Sequence, residues 1–151
     1  MAMPTQPPQD HSNKNFDVFL CYNRKDRLAV TEIGEKLKEF GYLPWLDEWE
    51  LRPGFPWQPA LESQIKRIKS AAVFVGKEGM GPWQQEELNA FLREFIKRRC
   101  PVIPVLLSDA PNKPKLPIFL GNRTWVNFRE NDPDPMGCLL WGISGDRRRG
   151  S

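Results

Sequence analysis

The sequence predicts an α/β fold in which helices cover both faces of a parallel β-sheet. Residues 16–22 and 71–75 are continuously apolar, which is typical of strands buried on both faces. Between such runs, apolar residues recur at helical spacing, as at Val30, Ile33 and Leu37. Strands that alternate with helices in this way indicate a parallel sheet with helical crossovers.

Local signals set where the elements begin and end. Asp26 is placed to cap the first helix, and Gly41 to end it as a C-cap glycine. Pro82 suits the first position of the third helix. Pro104 lies inside the fourth strand, although central strands avoid proline. The predicted strands are residues 16–22, 42–46, 71–75, 102–107 and 124–128, and the predicted helices are residues 27–40, 57–68, 82–96 and 135–141.

Residues 47–59 are predicted to form a long loop, because they include three prolines and a glycine. Trp49 and Trp57 either hold this loop against the domain or contact another copy of it, and we expect the first. Trp125 and Trp141 are expected in the core or at its edge.

Short first connections and right-handed crossovers predict the strand order 2-1-3-4-5, which is a flavodoxin-like three-layer fold. In such sheets ligands bind beyond the carboxyl ends of the strands, where the strand order reverses. The residues expected there are Tyr22 to Lys25, the loop after Asp47, and Gly76 onward. The sequence therefore predicts a ligand site before any family is considered.

Composition bounds the class of protein. The 151 residues fit one domain, and 40% hydrophobic with 27% charged residues is ordinary for a globular chain. We expect residues 1–15 to be a disordered leader, residues 16–145 the domain, and residues 146–151 a flexible tail. The net charge of +3 is matched by Arg147, Arg148 and Arg149 alone, so we expect no nucleic-acid partner.

The chain offers few residues for metal or thiol chemistry. Cys21, Cys100 and Cys138 are widely spaced and form no CxxC pair, and His11 is the one histidine, so we expect no metal site. Unpaired cysteines in apolar surroundings fit a reducing compartment, and no apolar run approaches membrane-spanning length. We therefore expect a cytoplasmic protein without a membrane partner.

Several chemistries known on this architecture lack their residues here. A phosphate-receiver protein needs acidic residues after the first strand and an aspartate after the third, where this chain has Tyr22-Asn23-Arg24 and Gly76-Lys77. The glycines of residues 76–81 match neither the P-loop nor the dinucleotide fingerprint. With its histidine in the leader, the chain has no Ser-His or Cys-His centre, so a carboxylate must carry any catalysis.

Glu87 is the candidate carboxylate. Trp83 and Glu87 are four residues apart near the start of the third helix, so they share one helix face beside the predicted cleft. A carboxylate beside an indole suits a ribosyl centre, because it can oppose the positive charge that develops as a glycosidic bond breaks. Spacing alone favours a simple acidic residue in the first turn of a helix, and the reason to prefer a functional role is that this helix starts at the predicted cleft.

Four segments together resemble the TIR (Toll/interleukin receptor) domain. Residues 16–23 resemble its first box, and residues 46–54 resemble its second box with the BB loop, including Arg52-Pro53-Gly54. Residues 82–87 resemble the αC segment of members that cleave NAD+, and residues 140–145 resemble the end of many bacterial members. The Phe-Trp pair of animal members is absent, which favours the bacterial branch.

The resemblance implies that NAD+ is a substrate, cleaved at its nicotinamide–ribose bond with no cofactor. It implies that Glu87 is catalytic and that Trp83 shapes the ribose pocket. Tyr22 and Arg24 would then lie against the nicotinamide and phosphate side, and Asp47 and Gly54 would be contributed by the BB loop.

The resemblance also implies self-assembly. The BB loop of one copy often completes the site of its neighbour, which would involve Arg52, Pro53, Gly54 and Trp49. Bacterial members act in antiphage immune signalling or as virulence effectors, with a fused or associated sensor domain. The alternatives are a non-enzymatic module that binds other TIR domains through this loop, and a nucleoside-processing transferase, which also uses a glutamate on a related fold.

Overall fold

A computed structural model of the protein describes residues 15–79, 85–116 and 118–146. Five strands form one sheet in the order β2-β1-β3-β4-β5, and every neighbouring pair is parallel. The predicted fold class and strand order are thus confirmed. The strands are β1 (Val18–Cys21), β2 (Pro44–Trp45), β3 (Ala71–Val75), β4 (Val102–Leu106) and β5 (Val126–Asn127).

Helices pack on both faces of the sheet because successive strand residues point to opposite sides. On one face Phe19 and Val73 pack with apolar residues of α3 and α4. On the other, Leu20 and Phe74 pack with α1 and α6. The helices of the described chain are α1 (Arg27–Glu39), α2 (Asp47–Glu50), α3 (Trp57–Ile65), α4 (Gln85–Lys97), α5 (Ile118–Gly121) and α6 (Pro135–Ser144).

Of the two predicted caps of α1, the one at the carboxyl end is confirmed and the one at the amino end is wrong. At its carboxyl end Gly41 has φ +90°, its N–H bonds to the Lys38 carbonyl over 2.9 Å, and the Tyr42 N–H bonds to the Leu37 carbonyl over 3.0 Å. This is the predicted glycine C-cap. At the amino end Asp26 occupies the N-cap position but its side chain makes no capping hydrogen bond, so its predicted capping role is wrong. Its carboxylate instead packs against Gly76.

Pro104 is compatible with a central strand because its nitrogen, which has no hydrogen to donate, faces no paired residue. The Leu107 N–H bonds to the Val75 carbonyl of β3 over 2.9 Å. Because donors alternate sides along a strand, the Pro104 nitrogen faces away from β3, toward β5. Pairing with β5 begins only at Val105, opposite Val126.

Two predicted loops contain helices. The segment predicted as a loop at residues 47–59 begins with the helical turn α2, because Trp49 packs against the apolar cluster under α1 and fixes this turn. The proline-containing segment after β4 includes α5, whose Leu120 is fully buried. Both helices are stabilised by the tertiary packing of one large side chain, which the local sequence pattern does not predict.

Two tryptophans are half-exposed. Trp125 and Trp141, expected in the core or at its edge, are 43% and 45% exposed, so neither is inside the core. Trp125 directly precedes β5 at the sheet edge, and Trp141 lies on α6, whose buried residues are the neighbouring Leu139 and Leu140. Among the tryptophans that the structure describes, Trp45 on β2 is the one buried in the core.

Arg98 connects α4 to α3. Its Nη2 donates to the carbonyl of Ile65, the last residue of α3, at 2.7 Å, and to the carbonyl of Ile68, just beyond that helix, at 3.0 Å. Phe91, Leu92 and Phe95 bury the inner face of α4. The helix that includes residue 87 is therefore held by both apolar and polar contacts.

Arg99 ends α4 in a conformation that favours glycine. Its φ is +60°, its N–H bonds to the Ile96 carbonyl and the Cys100 N–H bonds to the Phe95 carbonyl, which is the same C-cap geometry as at Gly41. We expect Arg99→Gly to stabilise the domain by about 1 kcal/mol, since a left-handed non-glycine residue is strained by about that amount. Thermal unfolding should show a rise in Tm of about 2–4 °C. Gly41→Arg at the equivalent position of α1 should lower Tm, and equal shifts for both changes would contradict this account.

Candidate functional site

A cavity of about 340 Å³ opens where β1 and β2 end, lined by Tyr22, Arg24, Arg27, Asp47 and Glu48. Its volume lies in the range of small-ligand sites. Three of the residues proposed from the sequence for substrate binding, Tyr22, Arg24 and Asp47, therefore line one cavity. It lies at the carboxyl edge of the sheet, which is where the strand order predicts a ligand.

Tyr22 connects the end of β1 to the start of α2. Its hydroxyl donates to Asp47 Oδ1 over 2.7 Å, and the same oxygen accepts from the Glu48 N–H over 2.8 Å. Burial, and then the Asp47 carboxylate, raise the pKa of Tyr22 well above its usual range. The phenol therefore keeps its proton near neutral pH and remains a hydrogen-bond donor.

Arg24 is positioned by a capped turn. Residues Arg24–Asp26 form a 3-10 turn, and the side chain of buried Asn23 accepts from the Lys25 N–H over 3.1 Å. The turn directs Arg24 and, three residues later, Arg27 to the same cavity. A guanidinium there can bind a diphosphate through paired charge-assisted hydrogen bonds.

Contacts from β1 and α1 fasten α2 at the cavity wall. Arg27 Nη1 lies 3.1 Å from Glu48 Oε1, and Lys38 Nζ lies 3.6 Å from the centre of the Trp49 ring. A Cβ at Gly34 would come within 3.0 Å of the Trp49 ring, so the absent side chain leaves room for the indole. Trp49 therefore holds the segment against the domain, as the sequence favoured.

The BB loop (residues 51–56) extends beyond this anchored turn. Arg52, Pro53 and Gly54 are exposed, the Arg52 guanidinium lies 4.5 Å from the centre of the Phe55 ring, and Gly54 has φ +90°. None of these residues lines the cavity. Within the single chain, Gly54 is thus separate from Tyr22 and Arg24.

The backbone of Glu87 is part of α4, but the structure does not describe its side chain. Trp83 lies outside them altogether, as do Pro82, the leader up to residue 14 and the tail from residue 147. The geometry between Glu87 and the cavity therefore stays a prediction.

Arg27 and Glu48 line the cavity without having been singled out from the sequence. Arg27 is three residues after Arg24 and Glu48 directly follows Asp47, so each is a neighbour of a predicted residue. Side-chain pairing across the two segments, which no local pattern contains, brings them together.

The described lining residues offer binding groups and no activated nucleophile. Cys21 lies directly before Tyr22, and burial, together with Asp47, raises its pKa to about 12, so it is a protonated thiol near neutral pH. Within the described ranges no three Asp, Glu, His or Cys residues are grouped to hold a metal ion, and no helix has the length and apolarity to cross a membrane.

Comparisons with known proteins place these features in a family. A model of the TIR domain family matches residues 18–140. The NAD(+) hydrolase TcpA of Theionarchaea archaeon (strain DG-70-1) is 27% identical over 92 residues. That stretch covers 60% of this chain and 28% of the relative, so this chain spans well under two thirds of that protein.

Two solved structures share the fold. The TIR domain of the Toll-related Receptor TRR-2 from Hydra magnipapillata has a TM-score of 0.64 at 22% identity, over 85% of this chain and 98% of that one. A metazoan TIR-STING receptor from C. gigas, in complex with 2′,3′-cGAMP, has a TM-score of 0.64 at 19% identity, over 91% of this chain and 42% of that one.

Proposed function

Because this chain belongs to the TIR domain family, we propose that it cleaves NAD+ at the nicotinamide–ribose bond, giving nicotinamide and ADP-ribose or a cyclic form of it. The observation that carries the proposal is the cavity at the carboxyl edge of the sheet, where Tyr22, Arg24 and Asp47 meet. A similar stretch in a protein named as an NAD(+) hydrolase supports the choice of substrate.

In this proposal the cavity residues bind and Glu87 catalyses. Arg24 binds the diphosphate, and the neutral Tyr22 phenol and the Asp47 carboxylate orient the nicotinamide riboside. The Glu87 carboxylate opposes the positive charge that develops on the ribose as nicotinamide leaves, and Trp83 packs against the sugar. Water, or the adenine ring in the cyclic product, then takes the place of nicotinamide.

Assembly completes the site in this proposal. Gly54 does not line the cavity of its own chain, so its proposed contact with substrate is made to a neighbouring copy, together with Arg52 and Pro53. The exposed BB loop is suited to such a contact. We place the activity in cytoplasmic antiphage signalling, with a fused or associated sensor that brings copies together.

The test is release of nicotinamide from NAD+, followed by chromatography. The chain is assayed dilute, and then tethered at high local density through a terminal tag on vesicles. We expect little release when dilute and much more when tethered, with Glu87→Gln as the control for contaminating activity. Absence of Glu87-dependent release from the tethered chain would refute the enzyme proposal.

The exposed BB loop also favours a second candidate, a non-enzymatic module that binds other TIR domains. Phe55 is 59% exposed at its tip beside Arg52, which suits a protein contact. This candidate predicts that Arg52→Ala or Gly54→Pro abolishes self-association in light scattering. It also predicts that Glu87→Gln changes neither association nor signalling.

A further inference from the structure

Asp26 has an unusual environment for a carboxylate. It directly precedes α1, at the carboxyl edge of the sheet, and only 7% of it is exposed. Its Oδ2 is buried with no hydrogen-bond partner in the described part of the chain. Its carboxyl group packs so closely on Gly76 that a Cβ there would lie 2.3 Å from Oδ1 and 2.6 Å from Oδ2. Buried polar groups without partners are rare, because the cost of their desolvation is uncompensated.

The neighbouring cations pair with other carboxylates. Lys25, the preceding residue, lies 3.9 Å from Glu78, and Arg27, the following residue, lies 3.1 Å from Glu48. The charges that act on Asp26 from packed segments are Asp109, in the loop after β4, and Glu78, in the turn after β3, and both are negative. Burial first, and then these two carboxylates, raise the pKa of Asp26. Its ionised form is thus disfavoured in the folded chain.

Gly76, which the Asp26 carboxyl group contacts, begins the connection from β3 to α4. Gly76 pairs with Gly79 as an isolated bridge, and the Gly79 N–H bonds to the Gly76 carbonyl over 3.0 Å. This turn follows β3 and precedes the helix that includes Glu87. Asp26 is therefore the last residue of the 3-10 turn whose Arg24 lines the cavity, and its side chain contacts the segment that leads to the proposed catalytic residue.

We propose that Asp26 is a positioning residue of the active site, whose buried Oδ2, without a hydrogen-bond partner, loosens the Gly76–Gly79 turn and so lets α4 adjust when substrate binds. The inference rests on the proposed function for its catalytic consequence. A buried carboxyl oxygen without a partner costs stability, and groups that cost stability are commonly retained where they serve a function.

The sign of the pH effect follows from the raised pKa. The folded chain binds the Asp26 proton more tightly than the unfolded chain does, so stability falls as pH rises from the usual carboxyl range through the raised pKa. Above that pKa the loss is complete. Asp26→Asn keeps the shape and removes the charge, so it should raise Tm at a pH above the raised pKa, and the difference from wild type should vanish in acid.

The experiment combines Tm, hydrogen exchange of the amides at 76–79, and the kcat for NAD+ of the tethered chain. We expect Asp26→Asn to slow exchange at the turn and to lower kcat several-fold, with KM nearly unchanged. Asp17→Asn is the matched control, because Asp17, beside the opposite end of β1, has a partner in the Leu43 N–H at 2.7 Å. That change should lower Tm and leave kcat unaltered.

Each outcome is decisive. Lower Tm or faster exchange at 76–79 in Asp26→Asn would make Asp26 an ordinary structural residue and overturn the inference, as would slower exchange with unchanged kcat. If the tethered wild type does not cleave NAD+, the proposed function fails, while Tm and exchange still show whether Asp26 loosens the turn. Wild-type exchange at 76–79, corrected for its intrinsic pH dependence, should be slower at pH 5 than at pH 7.5 and needs no variant.

Discussion

Replacing Glu87 by glutamine is expected to lower the kcat of the tethered chain for NAD+ by about 100- to 1,000-fold, the range found when one stabiliser of transition-state charge is removed. Glutamine keeps the size of the side chain and its capacity to accept hydrogen bonds. It lacks the negative charge that opposes the positive charge on the ribose as the nicotinamide bond breaks. The measurement is nicotinamide release per minute at saturating NAD+, and KM should change far less than kcat.

Glu86→Gln is the matched control, since adjacent positions of an α-helix are about 100° apart around its axis. It removes the same charge from the same helical turn, so any general effect of charge on α4 would appear in both variants. We expect Glu86→Gln to retain nearly the wild-type kcat. Equal losses in both variants would contradict the assignment of Glu87.

Replacing Gly76 by alanine is expected to destabilise the domain by about 2–3 kcal/mol, which is the cost of overpacking a well-filled site. The new Cβ would overlap both oxygens of Asp26, and the burial of that carboxylate leaves it little space to move. For a chain of this length, Tm should fall by about 5–10 °C, as measured by thermal unfolding.

Gly121→Ala is the control for this change, because a Cβ at Gly121 would meet nothing within 4 Å. Its Tm should stay close to that of the wild type. The double variant Gly76→Ala with Asp26→Gly should recover part of the loss, since the overlapping oxygens are gone. A loss that is unchanged in the double variant would place its cause elsewhere than in this contact.

The sheet was predictable because buried parallel strands carry their signal in consecutive residues. Residues 71–75 are apolar throughout and form β3 with those bounds. Where tertiary contacts decide the structure, local pattern was insufficient. It missed α2, which depends on Trp49 packing under α1, and it left open whether Trp125 and Trp141 lie in the core or at its edge. The other four strands are shorter than predicted, because the pairing of a strand stops where its neighbour ends.

The candidate site was partly predictable for a similar reason. Strand order fixes which strand ends meet, and this brings Tyr22, Arg24 and Asp47 to one cavity. Strand order cannot specify which side chains pair there. The Tyr22–Asp47 hydrogen bond, the Arg27–Glu48 ion pair and the contact of Asp26 with Gly76 join residues that are 20 or more positions apart, so they became visible only in the folded chain.

The anchoring of α2 makes the BB loop an interchangeable segment. On one side the loop follows a turn fixed by Tyr22, Arg27 and Lys38, and on the other it joins α3, which is buried through Leu61 and Ile65. Leu51 packs against the same core cluster as Leu61 and Ile65, whereas residues 52–56 are exposed and free to vary. Loop sequences from other family members could therefore be grafted here without refolding the sheet, and partner choice could diverge among relatives while the cavity beneath stays the same.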